Sequence, residues 1–156
     1  MDKLEKLYKL CDTHKIEIEW VNFNECVLGL YVRDNDILPT IALNKIIEND
    51  RLKTMEILGE ELGHHFTTTG NYANRLLHYR DRIRLSKEEL KASKWACNHL
   101  ISDTELFECA KKCTSVDELR EMLDVSFNVL RDKLRYCSEE NKKILQSICN
   151  YLRWEV

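Results

Sequence analysis

Residues 60–65 read EELGHH, a short pattern that sets the fold and the chemistry expected of this chain. In a helix, Glu60 and His64 are four residues apart, so their side chains lie one turn above the other and can bind the same metal ion. The H-E-x-x-H pattern of metal-binding helices has this spacing, with a histidine where this chain has Glu60. Glu61 follows the first ligand, at the position where a carboxylate acts as general base towards a metal-bound water. The pattern therefore predicts a helix that carries a metal site and a base.

The residues around this pattern predict that its helix packs on a core. A helix that begins near residues 48–50 would carry an apolar stripe with spacings of three and four. The stripe consists of Leu52, Met55, Leu58, Leu62 and Phe66. Glu60 and His64 lie beside it, and Gly63, which costs up to about 1 kcal/mol in a helix interior, suggests that another element packs closely there. An isolated pattern of this kind is also compatible with a solvated helix face that carries a stray histidine.

A second segment, at residues 85–100, supplies a candidate third ligand. Ser86 and Glu89 have the spacing of a capping box, which predicts that a helix begins there. Its inward face would consist of Glu89, Ala92, Ala96, His99 and Leu100, with Trp95 beside them. A carboxylate on a buried face is costly unless it is paired or binds a metal. We therefore expect Glu89, rather than Glu88 on the surface side, to be the third ligand, although capping alone would also explain it.

These two segments together resemble the ImmA/IrrE family of metallo-endopeptidases, especially the versions found in phages and mobile elements of low-GC Gram-positive bacteria. The similar residues are ILGEELGHHFTT at residues 57–68 and the pattern formed by Glu89, Ala92, Trp95, Ala96, Leu100 and Ile101. The segment TIALN at residues 40–44 resembles the strand that precedes the motif helix in this family. The resemblance covers roughly residues 1–105.

The resemblance implies a minimal zincin-like fold and a protease that cleaves a helix-turn-helix transcriptional repressor. Such cleavage would release the phage or mobile-element genes that the repressor silences. By the same resemblance, Glu61 is the catalytic base, while His64 and Glu89 are metal ligands. Glu60 stands where the family has histidine, so the ligand at this position differs. The alternative is a pseudo-protease that binds the repressor as an antirepressor without cutting it.

The replacement of histidine by Glu60 changes the charge that the ligands bring to the metal. Glu60, His64 and Glu89 together would neutralise a divalent ion, whereas two histidines and a glutamate leave about one positive charge. The bound water would then be less acidic. Zn is the metal expected first, and an oxygen-rich site is also compatible with Mn or Fe.

Two further histidines are candidates for supporting the ligands rather than for binding the metal. His65 points about 100 degrees away from His64 in a regular helix, so we do not expect the two to share one ion. A shifted pair of Glu61 and His65 would have ligand spacing, but it puts Leu62 at the base position and would bind without catalysis. His99 lies on the apolar face of its helix, where a hydrogen-bonded core histidine is the plainer interpretation.

The 156 residues predict an α+β fold in which a motif helix packs on a small three-stranded sheet and further helices follow. The strands are expected at residues 16–21, 27–32 and 39–43. An edge strand beside the metal could hold an extended substrate segment by strand addition. Residues 1–104 would form the zincin-like core, and residues 105–156 a helical part that packs with it as one compact unit.

The helical part contains a pattern that resembles a helix-turn-helix. Asn128, Arg131, Lys133 and Arg135 on its second helix could reach DNA. Their acidic neighbours and the formal net charge of −3 argue against direct DNA binding.

Seven cysteines without framework spacing predict reduced thiols. No apolar run has the length of a signal or membrane segment. We therefore expect a cytoplasmic protein with no membrane partner.

Overall fold

The computed structural model describes residues 2–68 and 79–148, and the chain divides into two compact units, Met1–Ala96 and Cys97–Val156. The first unit contains α1 (Lys3–His14), β1 (Glu17–Val21), β2 (Gly29–Val32), β3 (Thr40–Asn44), a short 3-10 helix (Lys45–Ile47), α2 (Arg51–Thr67) and most of α3 (Tyr79–Leu100). The second unit contains the end of α3, then α4 (Asp103–Ala110), α5 (Val116–Leu123), α6 (Phe127–Tyr136) and α7 (Glu139–Ile148). The division falls within α3, before the boundary that the sequence suggested after residue 104. The close packing of the two parts as one unit stays a prediction.

The first unit is built on a three-stranded sheet with β3 at its centre. β1 pairs with β3 in parallel and β2 pairs with it antiparallel, which gives the strand order β1-β3-β2. Ile41 and Leu43 of β3 are fully buried, because strands flank them on both sides and α2 packs against β2 and β3. On α2, Met55, Leu58 and Leu62 are also fully buried. These features confirm the predicted α+β architecture with the motif helix on the sheet.

The last residue of the predicted apolar stripe departs from the expectation. Phe66 is exposed, and its ring stacks on that of Trp95 with centroids 4.8 Å apart. Phe66 belongs to the last turn of α2, where its partner is a ring of α3 rather than the buried interior.

The start of α2 is fixed by local hydrogen bonds close to the predicted position. The side chain of Asp50 accepts a hydrogen bond from the amide of Lys53 at 2.9 Å, which makes Asp50 the N-cap. The hydroxyl of Thr54 donates to the carbonyl of Ile47 at 2.8 Å, which ties the first turn to the preceding 3-10 helix. The motif residues therefore follow at a fixed distance along a helix whose beginning is well determined.

A buried amide positions the loop that leads into β2. The side-chain nitrogen of Asn44, which is 2 % exposed, donates to the carbonyls of Phe23, Asn24 and Val27 at 3.3, 3.0 and 2.7 Å. A buried amide is stable only when such partners satisfy it. Asn44 thereby holds residues 22–28 against the end of β3 and determines where β2 begins.

The start of α3 differs from the prediction. The helix begins at Tyr79, so Ser86 lies inside it rather than at its N-terminus. Residues 79–85 contain neither proline nor glycine and are compatible with helix, so the helix extends through the capping pattern at residues 86–89.

Each of the helices α4 to α7 in the second unit begins after a serine cap. The side chains of Ser102, Ser115, Ser126 and Ser138 each accept a hydrogen bond from the amide three residues later in the chain. A short turn joins α5 to α6, with Asp124 in the left-handed region at φ 52°. The two helices and the turn of the predicted helix-turn-helix-like pattern are thus present.

One residue that the sequence assigned to the DNA-facing side of this pattern is buried instead. Lys133 is 2 % exposed, and its ammonium group donates to Asn98 Oδ1 at 2.7 Å and to Asp103 Oδ1 at 2.6 Å. Asp103 in turn accepts a hydrogen bond from Asn141 at 3.1 Å. These polar partners compensate the burial of Lys133, so its side chain faces the interior of the second unit. The prediction that Lys133 could reach DNA is therefore wrong.

The six cysteines in the described ranges are all free thiols, as expected. None of the described helices combines the length and the apolar character that a membrane crossing needs.

Candidate metal centre

The predicted ligands of α2 and α3 meet within the first unit. His64 is buried, and its Nε2 lies 3.2 Å from Oε2 of Glu89. Gly63 makes this approach possible, because a Cβ atom there would lie 2.3 Å from the carbonyl oxygen of Ala92. Any larger residue at position 63 would push the α3 backbone away. The close packing that Gly63 suggested from the sequence is therefore a contact with α3 that brings Glu89 to His64.

The separation of His64 and Glu89 suits two chemical states. It is a normal distance for a hydrogen bond between a ring nitrogen and a carboxylate. Two ligand atoms bound to one tetrahedral zinc at about 2.0–2.1 Å are themselves about 3.3 Å apart. A metal ion could therefore replace the shared proton with little movement of either side chain. The residues present fit a metal at these two positions.

The third predicted ligand is less closely assembled. Glu60 is half-buried on α2, and its negative charge acts on both His64 and Glu61. Within residues 2–68 and 79–148, no group of three or more histidine, cysteine, aspartate or glutamate side chains is arranged to hold a metal ion. The structure thus joins His64 to Glu89, while Glu60 contributes through its charge.

Glu61 has the electrostatic environment of a base. Burial raises the pKa of its carboxyl from 4.5 to about 7, the neighbouring charges of Glu60 and Glu89 add to the rise, and His64 and the amide of Tyr31 oppose it. A carboxylate with a pKa close to neutral pH is suited to accept and return a proton. The pKa of Glu61 therefore matches the role that its sequence position predicts.

The neighbours of His64 stabilise its protonated form in the absence of a metal. Burial by itself lowers the pKa of His64, but the Glu89 hydrogen bond and the charges of Glu89, Glu61 and Glu60 together raise it above the usual 6.5. Three carboxylates around one imidazole create a strongly negative local field. The same field favours a divalent cation.

Two residues of β2 direct their backbone groups away from β3 and towards the free edge of the strand. The amide of Asn44 donates to the carbonyl of Leu28 at 2.9 Å, so residues 28 and 44 form a hydrogen-bonded pair of the antiparallel ladder. Such pairs alternate, so the N–H and C=O of Leu30 face β3, whereas those of Gly29 and Tyr31 point away from it. The amide of Tyr31 therefore points to the side of the strand from which it helps to lower the pKa of Glu61.

The burial of the two glutamates of α3 is the reverse of the prediction. Glu88 is 8 % exposed, whereas the side chain of Glu89 is 48 % exposed although it contacts His64. Because α3 begins at Tyr79 and crosses α2 at Gly63, Glu89 reaches the site from an open side rather than from a buried stripe. Solvent at Glu89 is compatible with a ligand that lines an accessible site.

His65 and His99 are not among the contacts of the ligand pair that the structure gives. Nδ1 of His65 is 2.8 Å from the hydroxyl of Tyr31, and its ring contacts those of His14 and Phe66. Burial, Arg33 and His14 lower the pKa of His65. His65 therefore points away from His64 as predicted. His99 is exposed in the second unit rather than on an apolar face, because α3 presents Ala96, Cys97 and Leu100 to the interior instead.

Sequence reasoning overlooked Gly29 and the amide of Tyr31. A Cβ atom on Gly29 would lie 2.8 Å from Oε1 of Glu61 and 2.5 Å from Cγ2 of Ile57. The signal was present in the strand VLGLYV at residues 27–32, since glycine inside a strand often marks the close approach of another group.

Comparisons with models of known protein families, with curated proteins and with solved structures found no match to this chain. Its function is therefore inferred from the side chains of α2 and α3 and from the edge of β2.

Proposed function

We propose that this protein is a metal-dependent endopeptidase that cleaves a helix-turn-helix transcriptional repressor and so releases phage or mobile-element genes. The reaction class is supported by one observation above all: His64 lies 3.2 Å from Glu89, three residues after Glu61 in the base position of the same helix. The substrate follows from the resemblance of residues 57–68 and 89–101 to the ImmA/IrrE metallo-endopeptidases. The proposed base and two proposed ligands belong to the same unit of the chain.

His64 and Glu89 would hold the metal, and Glu60, one turn before His64, would complete the ligand set by rotation of its side chain. When bound, the ion would act as a Lewis acid towards the scissile carbonyl and a water molecule. Zn is the first expectation, and two carboxylates among three ligands also suit Mn or Fe.

The chain's own residues would carry the proton transfers. Glu61 would take a proton from the attacking water as the water oxygen bonds to the carbonyl carbon. It would then deliver the proton to the amide nitrogen as the C–N bond breaks. A carboxyl group can perform both steps because it first accepts a proton and then returns it. An extended substrate segment could pair with the outward backbone groups of β2.

A second candidate is a non-catalytic antirepressor of the same fold. It is favoured by Glu60 at the position of the usual histidine, and by the incomplete assembly of the third ligand in the described part of the chain. Such a protein would bind the repressor and inactivate it without hydrolysis.

The two candidates are separated by mixing the zinc-loaded protein with the helix-turn-helix repressor encoded in the same genetic element. We expect one discrete cleavage, identified by mass spectrometry of the products. Glu61→Gln should abolish cleavage and retain repressor binding, because it removes the base and nearly preserves its shape. Glu56→Gln on the same helix is a matched control that should cut normally. If the wild type relieves repression without cleavage, and Glu61→Gln does so equally well, the protein is an antirepressor.

A further inference from the structure

We propose that Gly29 is a positioning residue for Glu61: the bare backbone of β2 leaves the space in which the Glu61 carboxylate lies against the strand edge. The inference rests on the proposed role of Glu61 as base, and it adds a second element to the site. The base would be located by β2 as well as by its own helix.

The first step concerns space. An ideal Cβ on Gly29 would lie 2.8 Å from Oε1 and 3.0 Å from Cγ of Glu61, and both distances are shorter than ordinary contact between such atoms. The carboxylate therefore occupies the volume that any other residue at position 29 would fill with its side chain. The location of Glu61 therefore favours glycine at this position.

The second step concerns direction. The register of β2 with β3 turns the amide of Tyr31 towards the free edge of the strand. On that side the N–H dipole of Tyr31 helps to lower the pKa of the Glu61 carboxyl, against the larger effect of burial. The open space at Gly29 and the donor at Tyr31 together fix one side of the base. Without them, a glutamate side chain would sample several rotamers and would meet the reacting atoms less often.

The steric contact of Gly29 with Ile57 must be separated from that with Glu61, because a Cβ would also lie 2.5 Å from Cγ2 of Ile57. The double variant Gly29→Ala/Ile57→Ala removes the Ile57 contact and keeps the one with Glu61. Leu30→Ala is the control on the same strand, since Leu30 is exposed on the other face and its backbone pairs with β3.

The activity experiment measures cleavage of the repressor by the zinc-loaded variants. Gly29→Ala and the double variant should lower kcat at least about tenfold with little change in KM, because an ordered base acts in the reaction step rather than in binding. Leu30→Ala should match the wild type. Normal kcat in Gly29→Ala would overturn the proposal.

Hydrogen exchange tests the same inference without substrate, and so independently of the proposed function. The amide of Tyr31 should exchange about tenfold or more faster in Glu61→Ala and in Gly29→Ala than in the wild type, because the carboxylate that shields this edge from water is lost or displaced. The amide of Leu30, which bonds to β3, is the internal control and should keep its protection. If the wild type does not cleave the repressor, the proposed function is wrong, and the exchange rates alone test whether Gly29 positions Glu61. Equal exchange rates of the Tyr31 amide in all forms would overturn the inference.

Discussion

At the scale of single residues, Glu60 adds a negative charge to the candidate site and would, as a ligand, set its metal preference. Replacing it by histidine gives a second nitrogen ligand, which suits Zn better than Mn. We therefore expect Glu60→His to increase the preference for Zn over Mn in competitive titrations of the two proteins. An unchanged preference would mean that Glu60 does not contact the metal.

Glu61 should make the stability of the metal-free protein depend on pH. Its pKa rises from 4.5 to about 7 on folding, so the folded state binds more protons than the unfolded state between these values. The free energy of unfolding therefore falls as pH rises through this window, by about 3 kcal/mol from this group. His64, whose pKa is also raised, contributes a decline in the same direction.

The measurement is urea unfolding of the metal-free protein between pH 5 and pH 8. Glu61→Gln cannot titrate, so its stability should decline less than that of the wild type over this range. The part of the decline that His64 causes should remain. Parallel profiles for the two proteins would show that Glu61 titrates normally.

The part of the candidate site that could be predicted from the sequence is the part whose geometry is local to α2. Four-residue spacing on a helix places Glu60 and His64 on one side and turns His65 away, whatever the rest of the fold does. The exposure of Glu89 and the contact of Gly29 with Glu61 could not be predicted in this way. Both depend on where α3 and β2 lie in space, which no spacing within one helix determines.

At the scale of elements, the close packing of α2 and α3 at Gly63 can be tested by a substitution. Helix propensity alone predicts that Gly63→Ala stabilises the protein by about 1 kcal/mol. We expect the opposite, a loss of about 1–3 kcal/mol in urea unfolding, because the new methyl group would meet the Ala92 carbonyl. Zinc affinity should fall as well, since Glu89 moves away from His64. A more stable variant would contradict this packing.

The strands were easier to predict than the beginning of α3. β1, β2 and β3 are separated by polar turns, and their residues alternate or form short apolar runs, so their positions shifted by only a few residues. The capping pattern at Ser86 and Glu89 gave a wrong helix start because a capping box works only where the residues before it are not helical. Here the chain is already helical from Tyr79.

Within the whole molecule, the second unit depends on the buried ammonium of Lys133. Asp103→Ala would remove the carboxylate that compensates this buried charge and leave the ammonium with Asn98. We expect stability to fall by about 1–3 kcal/mol, a limited loss because the Asp103 side chain is half exposed and water can replace it in part. Lys133→Met should cost less, since it removes the buried charge itself. Glu108→Ala, which breaks an exposed pair with Lys111, is the control and should change urea unfolding little. A larger loss in Lys133→Met than in Asp103→Ala would contradict this view.

Lys133 also shows a limit of predicting a whole molecule from its sequence. Its place on α6 beside Arg131 and Arg135 suggested a basic surface, but its partners Asn98 and Asp103 are about 30 residues earlier in the chain. Tertiary contacts of this range decide whether a lysine is exposed.

Glu61 at the free edge of β2 also affects how copies of this chain meet one another. An uncovered strand edge invites pairing with the same edge of a second molecule, and charged side chains at the edge are one way in which proteins prevent this. Because the Glu61 carboxylate lies against β2 beside Gly29, two approaching β2 edges would bring two carboxylates together. The residue proposed to drive hydrolysis thus also protects the protein against edge-to-edge aggregation.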